Sequence, residues 1–395
     1  MMTIKRFWSG VIATSRREIE RIAIDGEYRS VLVWLPLSLV LFFAVFFSQG
    51  VVGSLPIAVV DEDNSYLSRR LVSMLYATHE TSLVEEVTDI ATARFKLLSG
   101  SVAGVVEIPA DFAENILSGT TTKVIYYDSG TNISTSSLSS KGVQMAVTSF
   151  GVGVALQRAE MGGVMPGTAI SQAMPIGFTT YALFNPWLNY AYYVGPCFWA
   201  MVLIIASVLS TICAVGPELR YATSVEWLRT ANNSLLAGLI GKLAPITLIL
   251  WLLAAIIAML IFGVFGAPMQ GSWVMLMVGT ITLIIAYQAV ALFVLALTAS
   301  FRLSLSLGGG YSVLAFTFSG VTFPTMAMIS WVQPFTMIFP YTYFMELYID
   351  QAMRGVEWWY SMQKVAAMLL FCLLPLLLFG RLKTILIRRR YWGRL

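Results

Sequence analysis

Charge is scarce in this sequence. Of 395 residues only 12% are Asp, Glu, Lys or Arg and 57% are hydrophobic, whereas a soluble domain has about 25% charged and about 45–50% apolar residues. A soluble globular, disordered or coiled-coil chain is excluded by that balance. There is one histidine, His79, and the three cysteines (Cys197, Cys213, Cys372) all lie in apolar runs, which rules out a disulfide framework and a His/Cys zinc site. The phosphate-cradling pattern G-x-x-x-x-G-K-[ST] is missing. Its nearest counterpart, Gly238-Leu-Ile-Gly241-Lys242-Leu243, has the wrong spacing and no hydroxyl, so ATP is not expected to bind this chain in that way. The apolar runs hold no acid, base, nucleophile or metal-ligand cluster for a membrane enzyme.

What is present is organised for a bilayer. No charged side chain stands between Arg29 and Asp61, between Lys242 and Arg302, or, Glu160 apart, between Arg158 and Glu218. A crossing takes about 20 residues at about 1.5 Å each. Six spans are expected: 31–53, 190–215, 243–265, 273–300, 303–345 with a re-entrant half-helix, and 365–387. The first run lacks a cleavage signature and is expected to stay as an anchor. With both termini in the cytoplasm, sixteen of the 25 basic residues fall inside, the orientation that the positive-inside bias favours. The basic residues are thus topological, and nucleic acid is not an expected partner. Residues 388–395 form a basic tail.

Residues 1–30 mix Phe7, Trp8, Val11, Ile12, Ile19 and Ile22 with Arg16, Arg17 and Arg21, the pattern of an interfacial elbow helix. Residues 54–189 alternate strand and helix and read as an α/β extracytoplasmic domain, with seven basic against twelve acidic side chains over 54–190. There Asp61-Glu62-Asp63 is an oxygen cluster that could hold a hard cation or, as Asp63, Asn64 or Ser65, cap the next helix. Gly308-Gly-Gly310, Ser319-Gly320 and Pro324 break the fifth span, and backbone freed at membrane depth needs protein or water partners. In the external loop 346–364, Glu346, Asp350 and Arg354 share one helical face, as a solvated charge ladder or a proton or cation site. The loop 216–242 is expected to be cytoplasmic and helical from Glu218 to Arg229, a short amphipathic knob of the helix-in-groove kind.

Short strings in order along nearly the whole chain carry a family resemblance. They are Ile57-Ala-Val-Val-Asp61, Val106-Glu-Ile-Pro109, Phe184-Asn185-Pro186-Trp187, Thr223-Ser-Val-Glu226-Trp-Leu228, Gly241-Lys242-Leu-Ala-Pro245, Phe318-Ser319-Gly320 to Phe323-Pro324, and Pro340-Tyr-Thr-Tyr343 with Glu346 and Arg354-Gly355. The sequence resembles the membrane subunits of ABC-2 type exporters, in the multidrug-permease branch with a large domain between the first two spans. It departs from the family's pattern at Ala222, where Gly is usual, in the less acidic Glu218–Tyr221 stretch, and at Ile329 and Ile349.

The resemblance implies a transport subunit of a bacterial inner membrane, with no cofactor of its own. ATP and Mg would sit on separate ABC ATPase subunits, and a second permease chain would pair with this one. A periplasmic adaptor is a further candidate partner. Coupling to the ATPase is expected at Glu218, Arg220, Thr223, Glu226, Trp227 and Arg229, and a path for amphiphilic or hydrophobic cargo at Tyr193, Phe198, Tyr311, Phe316, Phe318 and Phe323. The competing reading is a receptor or assembly platform whose spans anchor the external domain.

Overall fold

A computed structural model describes residues 2–50, 53–81, 83–163, 183–185 and 189–393. Pro186 and Trp187 of the aromatic string, and residues 164–167 expected to close the α/β domain, lie outside the described residues. The chain forms two compact units, Met1–Gly50 with Leu183–Leu395, and Val51–Ala182.

The smaller unit is built on a four-stranded sheet in the order β2-β1-β3-β4. Strand β1 (Pro56–Asp61) pairs in parallel with β2 (Leu83–Val87) and β3 (Gly104–Ile108), and β4 (Ile125–Asp128) runs antiparallel to β3. The unbroken run from Ile57 to Val60 is buried on both faces, as in a central parallel strand covered by helices. Alternation sends Ile57 and Val59 to one face with Leu71 of α1 (Tyr66–Ala77), Phe112 of α2 (Phe112–Ser118) and Phe150 of α3 (Ile133–Met161). It sends Ala58 and Val60 to the other face with Ala93 of α4 (Ile90–Leu98). The acidic triplet is absorbed by turn geometry. Ser65 caps α1 by accepting from the amides of Leu67 and Ser68, Asp61 accepts from the Asp63 and Asn64 amides and the Ser68 hydroxyl, and Asp63 accepts from the Ala113 amide.

The larger unit is helical. Helix α5 (Met2–Ile24) precedes α6 (Gly26–Phe46), α7 (Tyr190–Arg220), α8 (Ser224–Thr230), α9 (Leu235–Val264), α10 (Trp273–Thr298), α11 (Phe301–Phe318), α12 (Gln333–Thr336), α13 (Pro340–Tyr348), α14 (Trp358–Leu377) and α15 (Phe379–Ile387). Among the described residues five helices are long and apolar enough to cross a membrane: α6, α7, α9, α10 and α14. Helices α7 and α10 are largely buried, while smaller shares of α6, α9 and α14 are buried.

Helix α11, expected as part of the fifth span, is not among those five. Its Arg302, Ser304, Ser306 and three successive glycines dilute its apolar character, and it ends at Ser319-Gly320 with Gly320 at φ +86°. At about 1.5 Å per residue its 18 residues extend about 27 Å. Beyond it come only short helices, α12 and then α13, which starts on Pro340. The sixth expected span also shifts, with α14 beginning at Trp358 and the helix breaking at Leu378 after Pro375. The charge ladder is only partly solvated. Glu346 is exposed, but Asp350 is buried and paired with Lys364 and, at 3.4 Å, with Arg354.

Candidate functional site

Three prolines sit inside α7 and α9, and each deprives the carbonyl four residues earlier of its amide partner. Each orphaned oxygen receives a side chain from another helix. Pro196 frees the Tyr192 carbonyl, which accepts from the Tyr348 hydroxyl at 3.1 Å. Pro217 frees that of Cys213, which accepts from the Arg21 guanidinium at 2.9 Å. Pro245 frees that of Gly241, which accepts from the Ser15 hydroxyl at 2.9 Å. Two of the three donors belong to α5, so the elbow is a structural part of the bundle. It packs closely because Gly241 has no side chain: a Cβ there would lie 2.6 Å from the Thr14 Cβ and 2.7 Å from the Val11 carbonyl.

Around this contact lies a buried ion cluster. Lys242, 1% exposed, reaches Glu18 of α5 at 2.7 Å and Glu218 at the end of α7 at 2.8 Å, and donates to the Ala214 carbonyl at 3.0 Å. Arg17 meets Glu218 at 3.3 Å and Arg21 meets Glu18 at 3.8 Å. Three cations thus face two carboxylates. Burial of an unpaired charge costs many kcal/mol, so such groups persist only when paired and hydrogen-bonded. The arrangement ties α5, α7 and α9 together through side chains, and α8 joins it: the Thr223 hydroxyl donates to the Glu218 carboxylate, the Ser224 hydroxyl to the Glu218 carbonyl at 2.8 Å, and Lys242 lies 5.0 Å from the centre of the fully buried Trp227 ring.

The loop helix differs from its expected form. Helix α7 ends at Arg220 and α8 starts at Ser224, so Glu218 to Arg229 is two helices meeting at a corner. The corner residue, Ala222, has φ +62°, in the left-handed region that favours glycine. Ala222→Gly is therefore expected to stabilise the protein by about 1 kcal/mol, as a rise in the thermal unfolding temperature in detergent micelles with no change in helix content.

The corner divides the six expected coupling residues. Glu218 and Trp227 meet Lys242, and Thr223 holds Glu218. Arg220 lies over the Tyr221 ring at 5.3 Å, and Glu226 and Arg229 stand on the exposed face of α8. Glu18, Arg17, Arg21 and Lys242 were not among the expected site residues. Lys242 was visible only as part of a short string, and the signal for α5 was the pair of in-helix prolines that need outside donors.

The six expected path aromatics are mostly packed among helices. Phe198 meets Phe43 at 4.8 Å and Phe316 at 5.1 Å with tilted rings, and Phe316 is 6.2 Å from Tyr341. The Tyr311 hydroxyl donates to the Ile338 carbonyl at 2.6 Å, the Tyr193 hydroxyl to that of Val321 at 3.3 Å, and Phe318 meets Phe335 edge-on at 5.2 Å. Phe323 alone is largely exposed, at 52%. A cavity of about 510 Å³ lies elsewhere, between α9, α10 and α14, and none of the six lines it.

Five apolar helices of membrane-crossing length, with a buried polar hub at one end, define a multi-pass membrane protein. Residues 29–381 match the family described as ABC-2 family transporter protein, and the chain belongs to that family. No curated protein matches the chain. Membership makes it the permease component of an ABC transporter and implies association with an ABC ATPase.

Proposed function

We propose that this chain forms the translocation path of an ATP-driven exporter that moves amphiphilic or hydrophobic cargo outward across a bacterial inner membrane. Two such chains pair, and separate ATPase subunits, which bind ATP and Mg, press on α8 from the cytoplasm. Both termini and the Glu226–Arg229 face lie on that side, in keeping with the excess of Lys and Arg there. The α/β unit and the re-entrant segment after α11 lie outside, where an adaptor could dock. The carrying observation is the way α8 is mounted. Its outer face is free to receive a partner helix groove, and its inner face is bound through Trp227, Thr223 and Glu218 to Lys242, the meeting point of α5, α7 and α9. A push on α8 is thereby delivered to the ends of two spans at once. The aromatic contacts of Phe198 and Phe316 between α7 and α11 would be remade as these helices tilt.

The test is ATPase stimulation by the permease in lipid nanodiscs. Because Glu226 is exposed and makes no ion pair among the described residues, Glu226→Arg should leave folding intact and reduce stimulation on the order of tenfold or more, the penalty of reversing a charge at an interface. Unchanged stimulation would favour the receptor or assembly-platform reading, in which the spans only anchor the α/β unit.

A further inference from the structure

The cavity between α9, α10 and α14 carries, in an otherwise apolar lining, polar residues that folding alone does not account for. Gln288 of α10 is 2% exposed, yet its amide nitrogen has no hydrogen-bond partner among the described residues, and neither has the buried indole nitrogen of Trp251 on α9. Both residues line the cavity, as does Thr247. The Thr247 hydroxyl stands 2.9 Å from Gln288 Oε1 and 2.9 Å from the Leu243 carbonyl, and its single proton can serve only one of them. Whichever way the amide is turned, part of it lacks a partner. Gln288 stands ten residues, about 15 Å, from the nearer end of α10, in hydrocarbon, where an unsatisfied amide is costly and water does not relieve it. The remainder of the lining is apolar and without formal charge, including exposed Ala244 and Leu376. The volume, about 510 Å³, falls in the range of small-molecule sites, about 300–1,000 Å³.

We infer that this groove is a lateral binding site for an uncharged, drug-sized apolar molecule carrying a carbonyl-type acceptor, which enters from the hydrocarbon and pairs with Gln288 and Trp251 as these side chains, whose nitrogens are covered in the empty groove, turn to meet it. An ionic ligand would find no counter-charge, and a pure hydrocarbon would leave the amide unpaired. The site is separate from the aromatic residues of the proposed path and does not depend on the transport reading, because its test uses neither ATPase nor transport.

The probe is benzophenone, an uncharged photoreactive ketone, irradiated with the full-length protein in phosphatidylcholine nanodiscs and mapped by peptide mass spectrometry. The expected result is saturable labelling on segments of α9, α10 and α14 that face the groove, reduced at least tenfold by Gln288→Leu. Ala244→Phe, a substitution at an exposed position that fills the groove and leaves the Thr247–Gln288 contact in place, should reduce it likewise. Diphenylmethane, which has the same rings and no carbonyl, should compete at least tenfold more weakly than unlabelled benzophenone. Non-saturable labelling spread over all lipid-facing helices, or labelling indifferent to Ala244→Phe, would overturn the inference.

Discussion

Lys242→Met is expected to destabilise the helical unit by about 3 kcal/mol, the lower end of the penalty for stranding a buried ionic partner. The neutral side chain is of similar length, so packing against Trp227 is largely kept and the loss is electrostatic. Glu18 and Glu218, at 1% and 3% side-chain exposure, would remain buried with only Arg17 and Arg21, at 3.3 Å and 3.8 Å, to offset them. Those two arginines are partly exposed and can shift inward, which argues for the lower end. Denaturant unfolding in detergent micelles reads the effect. Adding Glu218→Gln to Lys242→Met should cost less than the sum of the two single changes, by about 1–3 kcal/mol, because the second change removes one of the stranded charges. Additive losses would mean that the three groups do not act as a unit.

Gly241→Leu should cost a similar amount, about 3 kcal/mol, by forcing apart helices that now touch backbone to side chain. The added Cβ would stand 2.7 Å from the Val11 carbonyl, and that oxygen is backbone that yields only if α5 moves. Displacing α5 would also remove Ser15 from the carbonyl orphaned by Pro245 and Glu18 from Lys242, so the effect is concentrated on the elbow. Trypsin cleavage at Arg16 and Arg17 should accelerate severalfold. Gly380→Leu is the control, since a side chain there meets nothing within 4 Å and should be nearly neutral. Equal behaviour of the two variants would show that the close approach of α5 and α9 is unimportant.

Composition and periodicity reveal much of this architecture, for reasons that lie in single segments. The charge-free runs announce the long helices because hydrocarbon tolerates little else. The run from Ile57 to Val60 announces a covered strand, and Ser65 marks a helix start by its capping chemistry. The ion cluster is not legible in the same way. Glu18, Glu218 and Lys242 are 224 residues apart at their widest and look like ordinary charges until three helix ends meet. Only the prolines at 217 and 245 carry a local hint, because each removes a donor that some other element must supply. The corner at Ala222 was hidden because alanine is a good helix former, and tertiary bonds from Thr223 and Ser224 to Glu218 override that preference. The fifth expected span stands apart from the other long runs because its three glycines and Arg302 dilute its apolar character.

The central claim is that the outer face of α8 receives the ATPase. It is tested most directly by placing a photocrosslinking residue there, Arg229→p-benzoylphenylalanine, and irradiating membranes that contain both subunits. The account predicts a covalent adduct with the ATPase subunit, lost when a probe is placed instead at Tyr127 of β4. No ATPase adduct from position 229, or modification of that position by a membrane-impermeant reagent applied outside intact cells, would contradict it.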